Sequence, residues 1–261
     1  IGILFLSIHS YNLYAQQTSR PNIIVFLVDD MGWQDCSLPF WTSVTPLNKR
    51  YHTPNMERLA KEDMKFTNAY AAPVCTPSRC SMISGMNAAH HGITNWTSPA
   101  KNNNTDAADD QFGAADWNMN GLSPVAGIAK TAYATPLPEL LKQSGYFTIH
   151  TGKAHWASYG TPGSSPYNMG FIVNISGHSA GHPQSYLSEE HYGNMPGKAA
   201  AQAVPDLEEY YDTGTFLTEA LTLEAKKALE YPVKQKQPFF LLMAHYAVHV
   251  PIMADPRFMQ K

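Results

Sequence analysis

The chain has 261 residues, 44% of them hydrophobic and 15% charged, with a formal net charge of −3. That length buries a sizeable core in one large domain, and so small a charge argues against nucleic-acid partners or a polybasic membrane patch. Cys36, Cys75 and Cys80 are odd in number and lack metal spacing, which argues against a disulfide framework or a zinc site.

The first stretch, IGILFLSIHSYNLYAQQ, is a short apolar run that turns polar after Ala15. It is too short to span a bilayer and fits the apolar region and cleavage zone of a secretory signal, although no basic segment precedes it. Residues 1–18 are therefore expected to be the remains of a signal peptide, with the protein exported to the periplasm or beyond and no stable membrane anchor. PNIIVFLVDDMG (21–32) is a continuous apolar run closed by two aspartates and a glycine, the pattern of a parallel strand buried on both faces.

HTPNMERLAKEDM (52–64), with Thr53 as N-cap, Pro54 in the first turn and Met56, Leu59 and Ala60 on one side, predicts a helix. KFTNAYA (65–71) reads as a second strand. AAPVCTPSRCSMISGM (71–86) predicts a helix capped by Cys75 or Thr76 and ending near Gly85. PLPELLKQSG (136–145) is a helix stopped by glycine, and YFTIHTGKAHW (146–156) a strand running into a polar loop. Residues 213–230 form the most periodic helix, with Leu217, Leu221, Ala225 and Ala228 on one side, and PFFLLMAHYAVHVP (238–251) is a buried strand ending in histidines. Residues 97–131 and 157–212 read as long polar loop insertions. The alternation predicts an α/β fold: a mostly parallel central sheet flanked by helices on both faces, with its site at the C-terminal strand ends.

Polar residues gather at those ends. Asp29 and Asp30 offer oxygen ligands suited to a hard cation such as Ca²⁺ or Mg²⁺, although a turn or cap explains the pair as well. Lys153 and His155, two residues apart, would share a face in extended chain and suit an anionic oxygen group. His249 precedes Pro251 at another strand end; His245 reads as structural, satisfied by backbone. Trp96 and Trp117 could stack on sugars. His178, His182 and His191 raise zinc, against which the flanking Gly, Ser and Pro argue. A cysteine opening a helix suggests a low-pKa thiolate, but no histidine–carboxylate partnership can be fixed from sequence.

Taken together, LVDDMGW, HTPNMERLA, CTPSRCSMISG, TGKAHW and PFFLLMAHYAVHVP, in this order, resemble the formylglycine-dependent sulfatases of the alkaline phosphatase superfamily, from about Asn22 to Pro251. The strongest element is Cys-x-Pro-Ser-Arg, with Met82 where leucine is usual and Ser84 where threonine is common. The resemblance implies that residues 19–261 are the N-terminal portion of a sulfatase catalytic domain. It implies that Cys75 is oxidised by a formylglycine-generating or anaerobic maturation enzyme to Cα-formylglycine. The hydrated aldehyde would attack the sulfur of a sulfate monoester, and loss of a proton from its second hydroxyl would release sulfate. Asp29, Asp30 and residue 75 would hold Ca²⁺ (Mg²⁺ being the other candidate). Arg79 would hold the hydrated aldehyde, Lys153 would bind sulfate, His155 would take the proton, and His249 would lie by the ester oxygen. The family also implies an Asp–Asn or Asp–Gln metal pair and a second lysine beyond the His-x-Pro strand, which MADPRF around Asp255 does not match. The fold is thus expected to be incomplete at its C-terminal side, with poor metal binding and little turnover by these residues alone. The long polar loops and expected export favour a sulfated carbohydrate as substrate. The rival readings are a phosphatase or phosphonate monoester hydrolase of the same superfamily, and a degenerate binder of sulfated glycan.

Overall fold

The computed structural model describes residues 20–106 and 108–259; the signal reading of residues 1–18 falls outside them. In chain order the regular elements are β1 (Ile23–Leu27), α1 (Pro54–Glu62), α2 (Cys75–Ser84), α3 (Ala88–His91), β2 (Leu122–Ser123), β3 (Ala132–Tyr133), α4 (Leu137–Gln143), β4 (Phe147–Gly152), β5 (Val173–Ile175), α5 (Leu217–Gln235) and β6 (Phe239–Ala244). β1, β6, β4 and β5 lie in that order in one sheet, and every pairing is parallel. β2 and β3 form a separate parallel pair.

β6 is central and all six of its residues are buried, as a continuous apolar run requires when both faces are covered. On one face Phe239, Leu241 and Met243 pack with Leu217, Leu221 and Ala225 of α5. On the other, Phe240 and Leu242 meet Cys80 and Ile83 of α2, with Leu141 of α4 alongside. Helices thus cover both faces of the parallel sheet, as expected. β4 and β6 run so close at their ends that a Cβ on Gly152, itself at φ 91°, would stand 2.1 Å from the carbonyl oxygen of Ala244.

Two expectations fail. β1 is not buried on both faces: Ile23, Val25 and Leu27 point into the core, while Ile24 and Phe26 are 56% and 62% exposed. It is an edge strand, and α5 does not reach its outer face. Residues 65–71 form no strand, and Phe66 and Tyr70 lie exposed. They line a cavity together with Phe26 and Val28 beside the β1 edge, but make no ladder with it. α1 forms as expected, although none of its residues is buried and Leu59 is exposed.

Caps also differ from expectation. Val74 takes the N-cap position of α2 without a side-chain bond, leaving Cys75 as the first helical residue; Gly85 ends the helix in the left-handed region, at φ 72°. Thr53 caps α1 through its carbonyl, its hydroxyl engaging Ser37 instead. The stretch 157–212 carries β5 and puts Tyr186, Tyr192, Val204 and Leu207 into the α5-side core, so its Gly, Ser and Pro content conceals ordered, buried structure.

Candidate active site

Four segments converge at the C-terminal ends of β1, β4 and β6. Beyond β1 and β6 the two chains stay in step: the Asp29 N–H donates to the Ala247 carbonyl at 2.9 Å and the Val248 N–H to the Asp29 carbonyl at 2.7 Å. This stitching sets Asp29 and Asp30 beside His249. The ligand atoms of these three lie within 4.8 Å of one another. The His249 Nδ1–H donates to the Val250 carbonyl at 3.1 Å, so its Nε2 faces Asp30 Oδ2, 3.5 Å away.

Asp29 is buried and doubly paired. Arg79 Nη2 lies 2.8 Å from its Oδ1 and Lys153 Nζ 2.5 Å from its Oδ2. Burial pushes its carboxyl up, but the Arg79 guanidinium and the Lys153 ammonium outweigh that and hold it below the usual carboxylate range. Arg79, one turn along α2 from Cys75, also donates to the Lys153 carbonyl at 2.7 Å, locking α2 to the end of β4. Lys153 is fully buried. Burial and the neighbouring guanidinium lower its pKa, partly offset by Asp29.

The same-face argument for Lys153 and His155 does not describe the chain, because β4 ends at Gly152 and His155 sits at φ 50°. Lys153 turns to Asp29, while His155 turns to Cys75. The imidazole is fixed from both sides. Its Nε2–H donates to the Thr97 carbonyl at 2.9 Å, which leaves a lone pair on Nδ1, 3.4 Å from Cys75 Sγ. Burial, reinforced by the Lys153 charge, pushes the His155 pKa down to about 3. The ring is therefore neutral near pH 7, with its accepting nitrogen aimed at position 75. Gly181 packs against the ring face, and a Cβ there would lie 2.5 Å from Cε1.

All seven residues expected at the site therefore gather in one region. A cavity of about 530 Å³ opens onto it, with Cys75, His155, Asp30 and His249 in its wall. Thr76, Thr97, Gly181 and Gln202 were not anticipated, and His182 was singled out only as a zinc candidate. Thr76 lay inside the recognised motif, and its buried hydroxyl accepts the Thr97 N–H at 3.0 Å. The others carry no spacing signal, since loop closure alone brings them in. Trp96 lines the cavity; Trp117, 59% exposed, does not.

The remaining histidines are engaged separately. His178 donates to the Ala203 carbonyl through Nε2, and His191 pairs with Asp212 at 2.9 Å. Among the described residues, Asp29, Asp30 and His249 are the one group of three or more such donors that converges, so the zinc reading of His178, His182 and His191 has no cluster behind it. His245 is buried as expected, but its Nδ1 finds no partner among the described residues, and its ring rests on Phe26 at 5.1 Å.

The family model described as Sulfatase matches residues 21–261. An uncharacterized sulfatase of Schizosaccharomyces pombe is 26% identical across 97% of this chain and 42% of its own length. The N-acetylgalactosamine-6-sulfatase of Mus musculus is 28% identical across 95% of this chain and 43% of its own. The crystal structure of Ps i-CgsB in complex with k-i-k-neocarrahexaose superposes with a TM-score of 0.58 at 27% identity, covering 90% of this chain and 46% of that one. The chain spans less than half the length of these relatives.

Proposed function

Because this chain belongs to the sulfatase family, we propose that the whole protein hydrolyses sulfate monoesters on a carbohydrate, with residue 75 as nucleophile after conversion to Cα-formylglycine. The observation that carries this reading is the His155 lone pair, directed at position 75 from 3.4 Å by the Thr97 carbonyl. The carbohydrate class is supported by relatives whose names specify N-acetylgalactosamine 6-sulfate chemistry and a bound neocarrahexaose.

Matured, residue 75 supplies a geminal diol: one hydroxyl to attack sulfur and a second whose deprotonation expels sulfate. His155 Nδ1, neutral and accepting, stands where it can take that proton. His249 Nε2 is the nitrogen facing the pocket side of Asp30 and would hold a proton for the departing alcohol oxygen. Lys153 has three N–H donors, of which Asp29 takes one; because it is fully buried and outside the cavity wall, another can serve a sulfate oxygen only once its side chain or Asp29 moves. Arg79 holds Asp29 in place rather than facing solvent.

The residues also fit a divalent cation. Two carboxylates converge with a nitrogen ligand, and oxygen donors of this kind suit Ca²⁺ or Mg²⁺. Asp29 and Asp30 would hold the ion, which when bound supplies positive charge against the charge developing on the ester oxygens. Export, and a maturation enzyme acting on Cys75, belong to the same reading. Among the described residues no helix is long and apolar enough to cross a membrane.

The test is mass spectrometry of the peptide around residue 75 from the whole protein co-expressed with a maturation enzyme, followed by rates on sugar sulfates, an aryl sulfate and an aryl phosphate. A loss of about 18 Da at residue 75 accompanied by sulfate release is expected, the mass change following from the covalent conversion alone. Full activity with an unaltered thiol overturns the nucleophile. A preference for the phosphate ester overturns the substrate class.

A further inference from the structure

The cavity wall facing the catalytic side chains is made by loops, and its chemistry differs from theirs. Trp96 presents an indole that is 44% exposed. The His182 ring lies parallel to that of His249, with centroids 5.8 Å apart and planes within 9°. His182 Nδ1 faces the Pro183 carbonyl at 3.0 Å; a carbonyl can only accept, so the proton is on Nδ1 and Nε2 keeps a lone pair. Gln202 is held by its main chain, where its carbonyl accepts the Gln184 N–H at 2.9 Å. Its side-chain amide has no hydrogen-bond partner among the described residues. One flat apolar face, one acceptor and one amide that both donates and accepts thus border the same space as residue 75.

The charge of this wall is equally informative. None of the described residues lining the cavity is a lysine or arginine, and its one carboxylate is Asp30. The two cations of the centre, Arg79 and Lys153, are buried against Asp29 instead. A second anionic group on the substrate, such as a uronate carboxylate or an additional sulfate, finds no lysine or arginine among these described lining residues. Hydroxyl and acetamido groups find both donors and acceptors.

We propose that Trp96, His182 and Gln202 form the subsite that reads the alcohol portion of the substrate, and that it selects a neutral hexose or N-acetylhexosamine carrying a single sulfate. Trp96 takes the apolar face of the ring. His182 Nε2 accepts from one ring hydroxyl, and the Gln202 amide bonds a neighbouring hydroxyl or acetamido group. Trp96 and Gln202 act on affinity and choice of substrate, while His182 also stacks on the His249 ring. The inference rests on the sulfatase reading for its reaction, but the recognition can be measured without turnover.

Two experiments on the whole protein test it. In the first, the Cys75→Ser variant, which cannot be matured, is titrated calorimetrically with N-acetylgalactosamine 6-sulfate and with a monosulfated glucuronate. Binding of the neutral sugar about tenfold or more tighter is expected, and His182→Ala and Gln202→Ala, each in that background, should weaken it about five- to thirtyfold. Equal or tighter binding of the uronate, or no effect of either substitution in variants with unchanged melting temperatures, overturns the subsite. In the second, the matured protein is assayed on the same sugar sulfate and on an aryl sulfate lacking hydroxyls. Gln202→Ala should raise KM for the sugar about tenfold with kcat held, and leave the aryl sulfate, which offers its amide no hydroxyl, within about twofold. Loss on both substrates alike overturns the proposal. Selective binding by the Cys75→Ser variant with no hydrolysis by the matured protein would sink the catalytic reading while the subsite stands.

Discussion

Gly181→Ala offers a severe test of how His155 is held. Gly181 lies outside the left-handed region, so alanine is compatible with the backbone, and only the space for its methyl is in question. That methyl would sit 2.5 Å from Cε1, 2.9 Å from Nδ1 and 3.1 Å from Nε2 of His155, about 0.9 Å short of ordinary contact at the nearest atom. The ring cannot tilt freely, because Nε2 is bonded to the Thr97 carbonyl and its edge meets Thr76 and Cys75. A displacement near 1 Å at a proton-accepting nitrogen costs on the order of a hundredfold in rate, against about 1–3 kcal/mol of stability for the overpacking. The assay is kcat on an aryl sulfate by the matured whole protein, with melting temperature followed in parallel. Gly113→Ala serves as control, since a Cβ there meets nothing within 4 Å. A Gly181→Ala protein with wild-type kcat and melting temperature would refute the packing argument and remove the reason for glycine at that position.

Acid should unfold the protein over a defined window. Burial holds His150 near pKa 3 and His178 and His245 near 4, against 6.5 when unfolded. The unfolded chain therefore binds more protons below pH 6.5, and stability present above that value is lost as pH falls toward 4, by about 2 kcal/mol per histidine at pH 5. Urea melts at pH 8, 6.5 and 5 check this; a flat profile would deny their burial. Arg79→Met leaves Asp29 with Lys153 as its one remaining ion-pair partner and breaks the tie to the Lys153 carbonyl. A loss of about 3–5 kcal/mol is expected in urea unfolding, the range for breaking a buried pair. Leu221→Ala, emptying a fully buried position under β4 and β6, should cost about 2–5 kcal/mol by the same measurement. Under native conditions a maleimide should label Cys75 and spare Cys36 and Cys80, both completely buried, so that the fraction labelled among these three reports unmatured protein.

The strands and helices of the sheet were legible because their signals are local. FFLLMA is apolar without interruption, Leu217–Leu221–Ala225 repeats at helical spacing, and Gly85 stops α2 where a left-handed residue is needed. That Asp29, Asp30 and Cys75 gather at one end of the sheet was legible because they sit at the ends of such elements. What failed was non-local. Whether Phe26 is covered depends on which strand lies beyond β1, and nothing within 21–32 encodes that. KFTNAYA has strand composition but joins no ladder among the described residues. The direction of Lys153 followed from Gly152 ending β4 at a left-handed kink, whereas the sequence argument kept the chain extended three residues further, to His155. His182 and Gln202 reach the cavity from a stretch whose Gly, Ser and Pro concealed its folding, and no period marks them.

β1 has a hydrogen-bonded neighbour on one side alone among the described residues, and Ile24 and Phe26 stand exposed beside Trp33 and Trp41. Such a margin is adhesive: free amides and carbonyls can template another extended segment, and the aromatic rings next to it reward whatever lies down there. In concentrated solution these residues on their own should self-associate through that border, and light scattering that rises with concentration would locate it there if Phe26→Lys abolishes the rise.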